Sequence, residues 1–139
     1  MQKITSLYTA EVTGKGGRRG HVASADKIID MDVSMPAEMG GNGAKANPEL
    51  LFAAGYAACF GGAIGAIANG RDVADAEVKA RVTIGKTEQG GFGLAVELHV
   101  TLPKLSKEEA HKVVEEAHQV CPYSVATRGN IEVKLFANE

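Results

Sequence analysis

Tryptophan is absent from the chain, cysteine occurs only twice, and basic residues are not in excess. Lys plus Arg number 15 against 17 Asp plus Glu in 139 residues, so the protein has no surplus of positive charge with which to bind nucleic acid. Two cysteines in a chain of this length exclude a small disulfide-stapled scaffold. The N-terminal residues lack the apolar stretch of a signal peptide, so we expect a cytoplasmic protein whose thiols are kept reduced.

Long hydrophobic runs are also scarce, with one exception. Residues 50–69 carry no charged side chain over a length that could span a membrane. The stretch consists mostly of Ala and Gly, whereas a lipid-facing helix is usually richer in Leu, Ile and Val. We therefore predict a central helix that is buried on nearly all sides, in a protein with no membrane partner.

The first half of the chain predicts short strands followed by this helix. In the third strand, Ile29, Met31 and Val33 alternate with polar residues, which is typical of a half-buried strand. Asn47 and Pro48 suit the start of a helix, and Asn69 with Gly70 suits its end. The predicted elements are an antiparallel meander with strands at 2–13, 21–24 and 28–34, and a helix from about 48 to 68.

The second half predicts a hairpin, a second helix and a final strand. Ser106 and Glu109 form a capping box at the start of an amphipathic helix. The predicted elements are strands at 73–86 and 93–102, the amphipathic helix at 107–120, a short turn at 123–128, and a strand at 131–136. The fold class is therefore α+β with mostly antiparallel sheets. No linker or repeat divides the chain, so residues 1–139 are expected to form a single domain.

The two cysteines occupy different settings and leave several interpretations open. Cys59 lies in the middle of the apolar helix, and Cys121 lies at a helix end before Pro122. Both could be buried small hydrophobes, because free Cys packs like one. A zinc site could use Cys121 with His118, but too few further ligands are in view, and His111 and His118 are expected at the surface.

The third interpretation is a reactive pair, in which one thiolate attacks a peroxide and the second thiol condenses with the resulting sulfenic acid. The helix dipole cannot activate Cys59, because the effect fades within the first turn. A cation must therefore come from elsewhere, and the glycine-dense turn carrying Arg18 and Arg19 is the obvious source.

These segments resemble a known family. Asn47–Phe60, with Cys59 near its end, is similar to the central-helix signature of the organic hydroperoxide resistance proteins, which belong to the osmotically inducible protein C superfamily. Residues 120–124 and 126–130 resemble the second-cysteine motif of that family, and residues 16–18 and 36–41 resemble its N-terminal loops. The resemblance runs essentially from end to end of the chain.

The resemblance implies a thiol-dependent peroxidase without cofactor or metal, acting on organic hydroperoxides as an intertwined homodimer. By position, Cys59 resembles the peroxidatic cysteine and Cys121 the resolving cysteine. Arg18 resembles the arginine that stabilises the thiolate, and Glu49 the carboxylate that orients it. The resemblance also implies that dihydrolipoyl groups on lipoylated proteins reduce the disulfide. Arg19, next in the chain, is the alternative arginine whose guanidinium could enter the site.

Apolar residues near the cysteines favour a hydroperoxide with a hydrocarbon tail over hydrogen peroxide. We therefore predict substrate contacts from Phe52, Phe60 and Tyr123, although ordinary core packing would also explain these aromatic residues. Two functions of other classes remain open on the same scaffold. One is a redox sensor that signals by forming a disulfide, and the other is a carrier of a small ligand.

The spacing of Glu49 and Cys59 predicts how the site is assembled. The two residues are ten positions apart on one helix, which corresponds to about 15 Å along its axis. Neither side chain spans that distance. Two copies of the helix crossing antiparallel would place the start of one beside the middle of the other, and the small residues of the helix would permit the approach. We therefore predict that Glu49 of one subunit serves Cys59 of the other.

Overall fold

The computed structural model describes all 139 residues and divides them into two compact units, Met1–Pro48 and Glu49–Glu139. The first unit holds a three-stranded antiparallel sheet in the order β1-β2-β3, which confirms the predicted meander. Its strands are β1 (Thr13–Lys15), β2 (His21–Ala23) and β3 (Asp30–Asp32), with single 3-10 turns at Gly17–Arg19 and Ala37–Met39.

The N-terminal residues correct one prediction. A strand was expected over residues 2–13, but the first strand begins at Thr13, and the residues before it pair with no strand. A strand needs a neighbour for its backbone N–H and C=O groups, and β propensity alone does not supply one. The segment exposes its large apolar side chains to an unusual degree. These are Ile4 (87% exposed), Leu7 (99%) and Tyr8 (83%).

The second unit contains the helices and a mixed sheet. Its strands follow the order β4-β5-β6, with β4 and β5 antiparallel and β5 and β6 parallel. The predicted hairpin, second helix, short turn and last strand are all present, within a few residues of the expected bounds. The elements are α1 (Pro48–Ala66), β4 (Glu77–Lys86), β5 (Phe92–Thr101), α2 (Lys107–Val120), α3 (Pro122–Thr127) and β6 (Glu132–Ala137). The architecture is thus α+β.

Side-chain hydrogen bonds explain where α2 begins and how α1 ends. The Ser106 side chain accepts a hydrogen bond from the Glu109 backbone N–H, as the capping box predicts, and starts α2. At the end of α1, Arg71 donates to the carbonyl oxygens of Ile67 and Ala68. The same guanidinium pairs with both oxygens of Glu116 on α2, at 2.7 and 3.1 Å. Arg71 therefore ties the end of α1 to α2.

The core lies where α1, β5 and α2 meet, and α1 contributes only one face to it. The buried residues of α1 are Tyr56, Phe60, Ala63 and Ile64. Our expectation that this helix is buried on nearly all sides is therefore wrong for the single chain. Its length and composition alone would also fit a membrane span, a test that core helices of soluble proteins pass as well. The exposed face is a small-residue stripe at helical spacing: Ala54, Ala58, Gly62 and Ala66.

A candidate active site around two thiols

The two cysteines lie on different elements of the second unit. Cys59 is in the middle of α1 and is partly exposed, whereas Cys121 is fully buried between α2 and α3. Pro122 has no backbone N–H and ends α2, so Cys121 adopts an extended backbone (φ −60°, ψ 122°) and caps both helices. Its N–H donates to Ala117 and its carbonyl accepts from Val125, which fixes the Cys121 backbone on both sides.

The packing of α1 against the α2–α3 junction brings the two thiols together. Cys121 Sγ lies 3.5 Å from Cys59 Sγ, and both cysteines are free. A disulfide needs the sulfurs at about 2.05 Å. A two-electron oxidation can therefore join the two sulfurs if they approach by about 1.5 Å. The reactive-pair interpretation requires two sulfurs that can come into bonding distance, and this contact meets that requirement.

The surroundings of Cys59 within this unit favour the thiol over the thiolate. Burial raises the pKa of Cys59, and the neighbouring Cys121 thiol raises it further. The backbone N–H of Tyr123, which hydrogen-bonds the Cys59 sulfur, acts in the opposite direction but does not outweigh burial. Cys59 therefore needs an additional cation if it is to react as a thiolate near neutral pH.

Aromatic rings pack next to the thiols. The Tyr123 ring lies 5.9 Å from the ring of Phe52 and 5.5 Å from that of Tyr56, measured between centroids. Gly55 makes this packing possible, because a Cβ there would meet the Tyr123 hydroxyl at 2.7 Å. The structure places Phe60 differently. Its side chain is fully buried in the core beside Tyr56, with no exposed surface.

Phe52 and Tyr123 line an apolar cavity of about 410 Å³ at the start of the mixed sheet. Leu94 and Ile131, just ahead of the parallel pairing of β5 and β6, also line it, and Asn130 adds a polar group. The volume falls in the range of about 300–1,000 Å³ that is typical of small-molecule sites. Leu94 and Ile131 cannot be recognised as cavity residues from sequence, because alternation marks them only as strand residues.

The predicted charged residues occupy both units. Arg18 is partly buried in the 3-10 turn of the first unit, after Gly16 and Gly17, both of which have positive φ. Arg19 is more exposed and lines a separate cavity of about 600 Å³ that Arg18 does not line. Glu49 lies in the first turn of α1, partly buried. Since α1 is continuous from Pro48 to Ala66, Glu49 and Cys59 of one chain remain about 15 Å apart along its axis.

Several polar residues near the thiols were missed from sequence. Tyr56 and Ser124 are fully buried, and their hydroxyl oxygens lie 2.8 Å apart. His118, expected at the surface, is half-buried, and its Nδ1 lies 2.8 Å from the Ser124 hydroxyl. No group of three or more His, Cys, Asp or Glu side chains is arranged to hold a metal ion. In the sequence, only the spacing of His118, Cys121 and Ser124 around one helix break pointed to these missed polar contacts.

Comparison with protein families matches the end of the first unit and most of the second. A family model described as "OsmC-like protein" matches residues 40–136. The matched segment includes both cysteines, the aromatic residues beside them and the apolar cavity.

Known proteins are similar over nearly the whole chain. "Organic hydroperoxide resistance protein OhrB" of Bacillus subtilis (strain 168) is 47% identical over 132 residues, which cover 94% of this chain and 97% of that protein. "Organic hydroperoxide resistance protein" of Xanthomonas axonopodis pv. citri is 50% identical over 133 residues, 93% of each chain. A crystal structure of an organic hydroperoxide resistance protein from Legionella pneumophila superposes with a TM-score of 0.91 at 44% identity, covering 97% of this chain and 100% of the other.

Proposed function

Because the chain belongs to the OsmC-like protein family, in the branch of the organic hydroperoxide resistance proteins, we propose that it is a cysteine-based peroxidase that reduces organic hydroperoxides to alcohols. The names of the similar proteins support a role in peroxide detoxification and antioxidant defence. The single observation that carries the proposed mechanism is the 3.5 Å contact between the Cys59 and Cys121 sulfurs.

The proposed reaction has three steps. The Cys59 thiolate attacks one peroxide oxygen, the O–O bond breaks, and the alkoxide leaves as an alcohol after taking a proton, so that Cys59 becomes a sulfenic acid. The Cys121 sulfur then bonds to the Cys59 sulfur, and the S–O bond breaks with loss of water. An external dithiol finally donates two electrons and two protons and restores both thiols by thiol–disulfide exchange.

In the proposed site Arg18 supplies the positive charge that Cys59 requires. Burial raises the pKa of the Cys59 thiol, so a thiolate near neutral pH needs a cation beside it, and the family resemblance assigns that role to Arg18. A guanidinium is always charged, and its planar fork can donate to a thiolate and to a peroxide oxygen together. Glu49 would hold that fork through a carboxylate–guanidinium pair.

The apolar cavity is the proposed site for the substrate's hydrocarbon part. Phe52 and Tyr123 line it, and the backbone N–H of Tyr123 also hydrogen-bonds the Cys59 sulfur, so Tyr123 connects the cavity with the reacting residue. Both residues are proposed substrate contacts. Phe60 is fully buried, and we assign it an indirect part, in which it packs behind Tyr56 and supports the aromatic cluster.

We propose that the active form is a homodimer. Two features support this: the small-residue stripe of α1 is uncovered, and the N-terminal segment exposes large apolar side chains. Small residues let two helices approach closely, and exposed apolar surface of this kind marks interaction sites. Antiparallel crossing of two α1 helices would set Glu49 of one subunit near Cys59 of the other, which one chain alone does not achieve.

The reductant and the compartment are further parts of the proposal. Lipoylated proteins would supply the dithiol, and the cytoplasm would be the compartment. No nucleic acid, membrane, metal or cofactor enters the proposed cycle.

Steady-state assays discriminate the peroxidase from its two rivals. With an alkyl hydroperoxide and dihydrolipoamide in excess, a peroxidase consumes peroxide over many turnovers, whereas a redox sensor stops after about one equivalent per subunit. A small-ligand carrier would be indifferent to Cys59→Ser, whereas the peroxidase loses all turnover. Single-turnover behaviour, or full activity of Cys59→Ser, would overturn the proposed function.

A further inference from the structure

A continuous chain of hydrogen bonds joins α1, α2 and α3, the helices at which the two cysteines lie. Ser124 Oγ lies 2.8 Å from both Tyr56 Oη and His118 Nδ1. Tyr56 Oη lies 3.2 Å from Thr127 Oγ1, and the Thr127 hydroxyl donates to the Ser124 carbonyl oxygen at 3.1 Å. Tyr56 and Ser124 are fully buried, and Thr127 is 6% exposed. Polar groups so placed are costly unless each finds a partner.

Counting protons fixes the direction of this chain. A hydroxyl group has one proton to donate. Because Thr127 gives its proton to a carbonyl oxygen, Tyr56 must donate to Thr127. Ser124 must then donate to Tyr56, and His118 Nδ1 must donate to Ser124. With any other set of donors and acceptors, at least one of the four hydrogen bonds would lack a proton.

The direction determines the protonation of the His118 ring. Burial lowers the pKa of His118, and the positive charge of Arg128 lowers it further, while Glu115 raises it. A neutral imidazole carries a proton on only one nitrogen. In this chain of hydrogen bonds the protonated nitrogen of His118 is Nδ1. Nε2 is then the ring nitrogen that can accept a hydrogen bond.

This chain of hydrogen bonds connects the two segments of the protein that carry the cysteines. Tyr56 precedes Cys59 by three residues on α1, and Ser124 follows Cys121 by three residues on α3, so each of the two lies about one helical turn along the backbone from a cysteine. His118 lies on the last turn of α2, and Arg128 donates a side-chain hydrogen bond to its carbonyl oxygen. All three helices are therefore joined around Cys121.

We propose that His118, Ser124 and Tyr56 are positioning residues that hold Cys121 Sγ against Cys59 Sγ, with His118 Nδ1–H as the donor at the head of the chain. The consequence for catalysis rests on the proposed function. In the resolving step the Cys121 sulfur displaces the sulfenic oxygen of Cys59, which leaves as water with the Cys121 proton, and a preset contact between the sulfurs speeds this step. The geometric part concerns the reduced protein and holds with or without peroxidase activity.

The tautomer of His118 is the first test. Long-range proton–nitrogen correlation spectra of the ¹⁵N-labelled reduced protein at pH 7.5 distinguish the Nδ1–H from the Nε2–H form, and His118→Asn assigns the signal. We expect the Nδ1–H tautomer in the unsubstituted protein and a shift toward Nε2–H in Ser124→Ala. An Nε2–H tautomer in the unsubstituted protein would contradict the proposed chain.

The second test measures the thiol pair without peroxide. In redox equilibrium with dithiothreitol, Ser124→Ala and Tyr56→Phe should lower the equilibrium constant for the Cys59–Cys121 disulfide by at least about three- to tenfold, the effect expected for one lost hydrogen bond, because each variant removes two of the four contacts. Val125→Ala, on the same helix but outside the chain, is the matched control and should leave the constant unchanged.

Substitutions of half-buried His118 keep the test valid if the buried variants fail to fold. His118→Leu should lower the same constant, and His118→Asn should restore it, because its side-chain amide can donate from a position close to that of Nδ1. Equal constants for His118→Leu, His118→Asn and the unsubstituted protein would overturn the proposal. Because no peroxide is present, that result is distinguishable from a failure of the proposed peroxidase function.

Discussion

Cys59 Sγ and Cys121 Sγ lie 3.5 Å apart, although 62 residues separate the two cysteines in the chain. One thiol is carried by α1 and the other by the α2–α3 junction, so their contact depends on how the helices of the second unit pack. The buried residues that join these elements include Tyr56 on α1 and Ala117 on α2. The fold of this unit thus sets the distance on which the proposed disulfide depends.

Replacing Cys121 should separate the two chemical steps. In Cys121→Ser the first oxidation of Cys59 proceeds, but no protein thiol remains to resolve the sulfenic acid, so steady-state turnover falls sharply. Mass spectrometry should then show Cys59 advancing to sulfinic acid as peroxide is added. Cys59→Ser is the control and should gain no oxygen at Cys121. Normal turnover of Cys121→Ser with dihydrolipoamide would show that the disulfide is not an obligatory intermediate.

The apolar cavity predicts a preference for hydroperoxides with longer hydrocarbon chains. Each methylene buried in the cavity contributes about 0.8 kcal/mol, or roughly fourfold in kcat/KM. A series of primary alkyl hydroperoxides should therefore be reduced with rising kcat/KM until the cavity is filled, with hydrogen peroxide the poorest substrate. Phe52→Ala should flatten this series. Phe92→Ala, an exposed aromatic outside the cavity lining, should not. Equal kcat/KM for hydrogen peroxide and alkyl hydroperoxides would refute the assignment.

Arg18 should set the pH dependence of Cys59. Burial raises the pKa of this thiol, and an adjacent guanidinium lowers it, so Arg18→Gln should raise the pKa that governs reactivity. Each unit of increase leaves about tenfold less thiolate at pH values below the pKa. Alkylation by iodoacetamide should slow near pH 7 and recover as the pH rises above the new pKa.

Arg19→Gln is the matched control for this experiment, because Arg19 is next in the chain but lines a different cavity. It should leave the pH profile of Cys59 alkylation where it is in the unsubstituted protein. If Arg19→Gln shifts the profile and Arg18→Gln does not, the two arginines have been assigned the wrong way round.

Local signals in the sequence predicted most of the fold. The capping box placed the start of α2 correctly, and alternation in β4 and β5 gave the hairpin, because both patterns act between neighbouring residues. The N-terminal strand and the full burial of α1 were not realised in the single chain. Both expectations followed from apolar composition, and composition does not say which surface covers an apolar residue.

The candidate site was only partly visible in sequence. The two cysteines stood out by their rarity and by the family motifs around them. The hydrogen bond between Tyr56 and Ser124 joins residues 68 positions apart, and neither their residue types nor their spacing predicts that they meet. His118 looked like a surface residue, since its half-buried position depends on how α3 folds back after Pro122.

Subunit mixing tests the proposed arrangement of Glu49 and Cys59. Glu49→Ala and Cys59→Ser homodimers should both be poor enzymes. A heterodimer of the two contains one site in which an intact Cys59 faces an intact Glu49, so mixing after reversible unfolding should restore part of the activity. Mixing each variant with itself is the control. If the mixed sample stays inactive although heterodimers form, the two residues act within one chain and the crossed-helix arrangement is wrong.

The most direct test of the account is the fate of both thiols after one equivalent of an alkyl hydroperoxide. The reduced protein would be treated with one equivalent per subunit in the absence of reductant, and then analysed by thiol titration and intact mass. We expect both thiols to disappear and the mass to fall by two hydrogens, as a Cys59–Cys121 disulfide requires. A mass gain of one oxygen with one thiol still titratable, or an unchanged mass with two thiols, would contradict it.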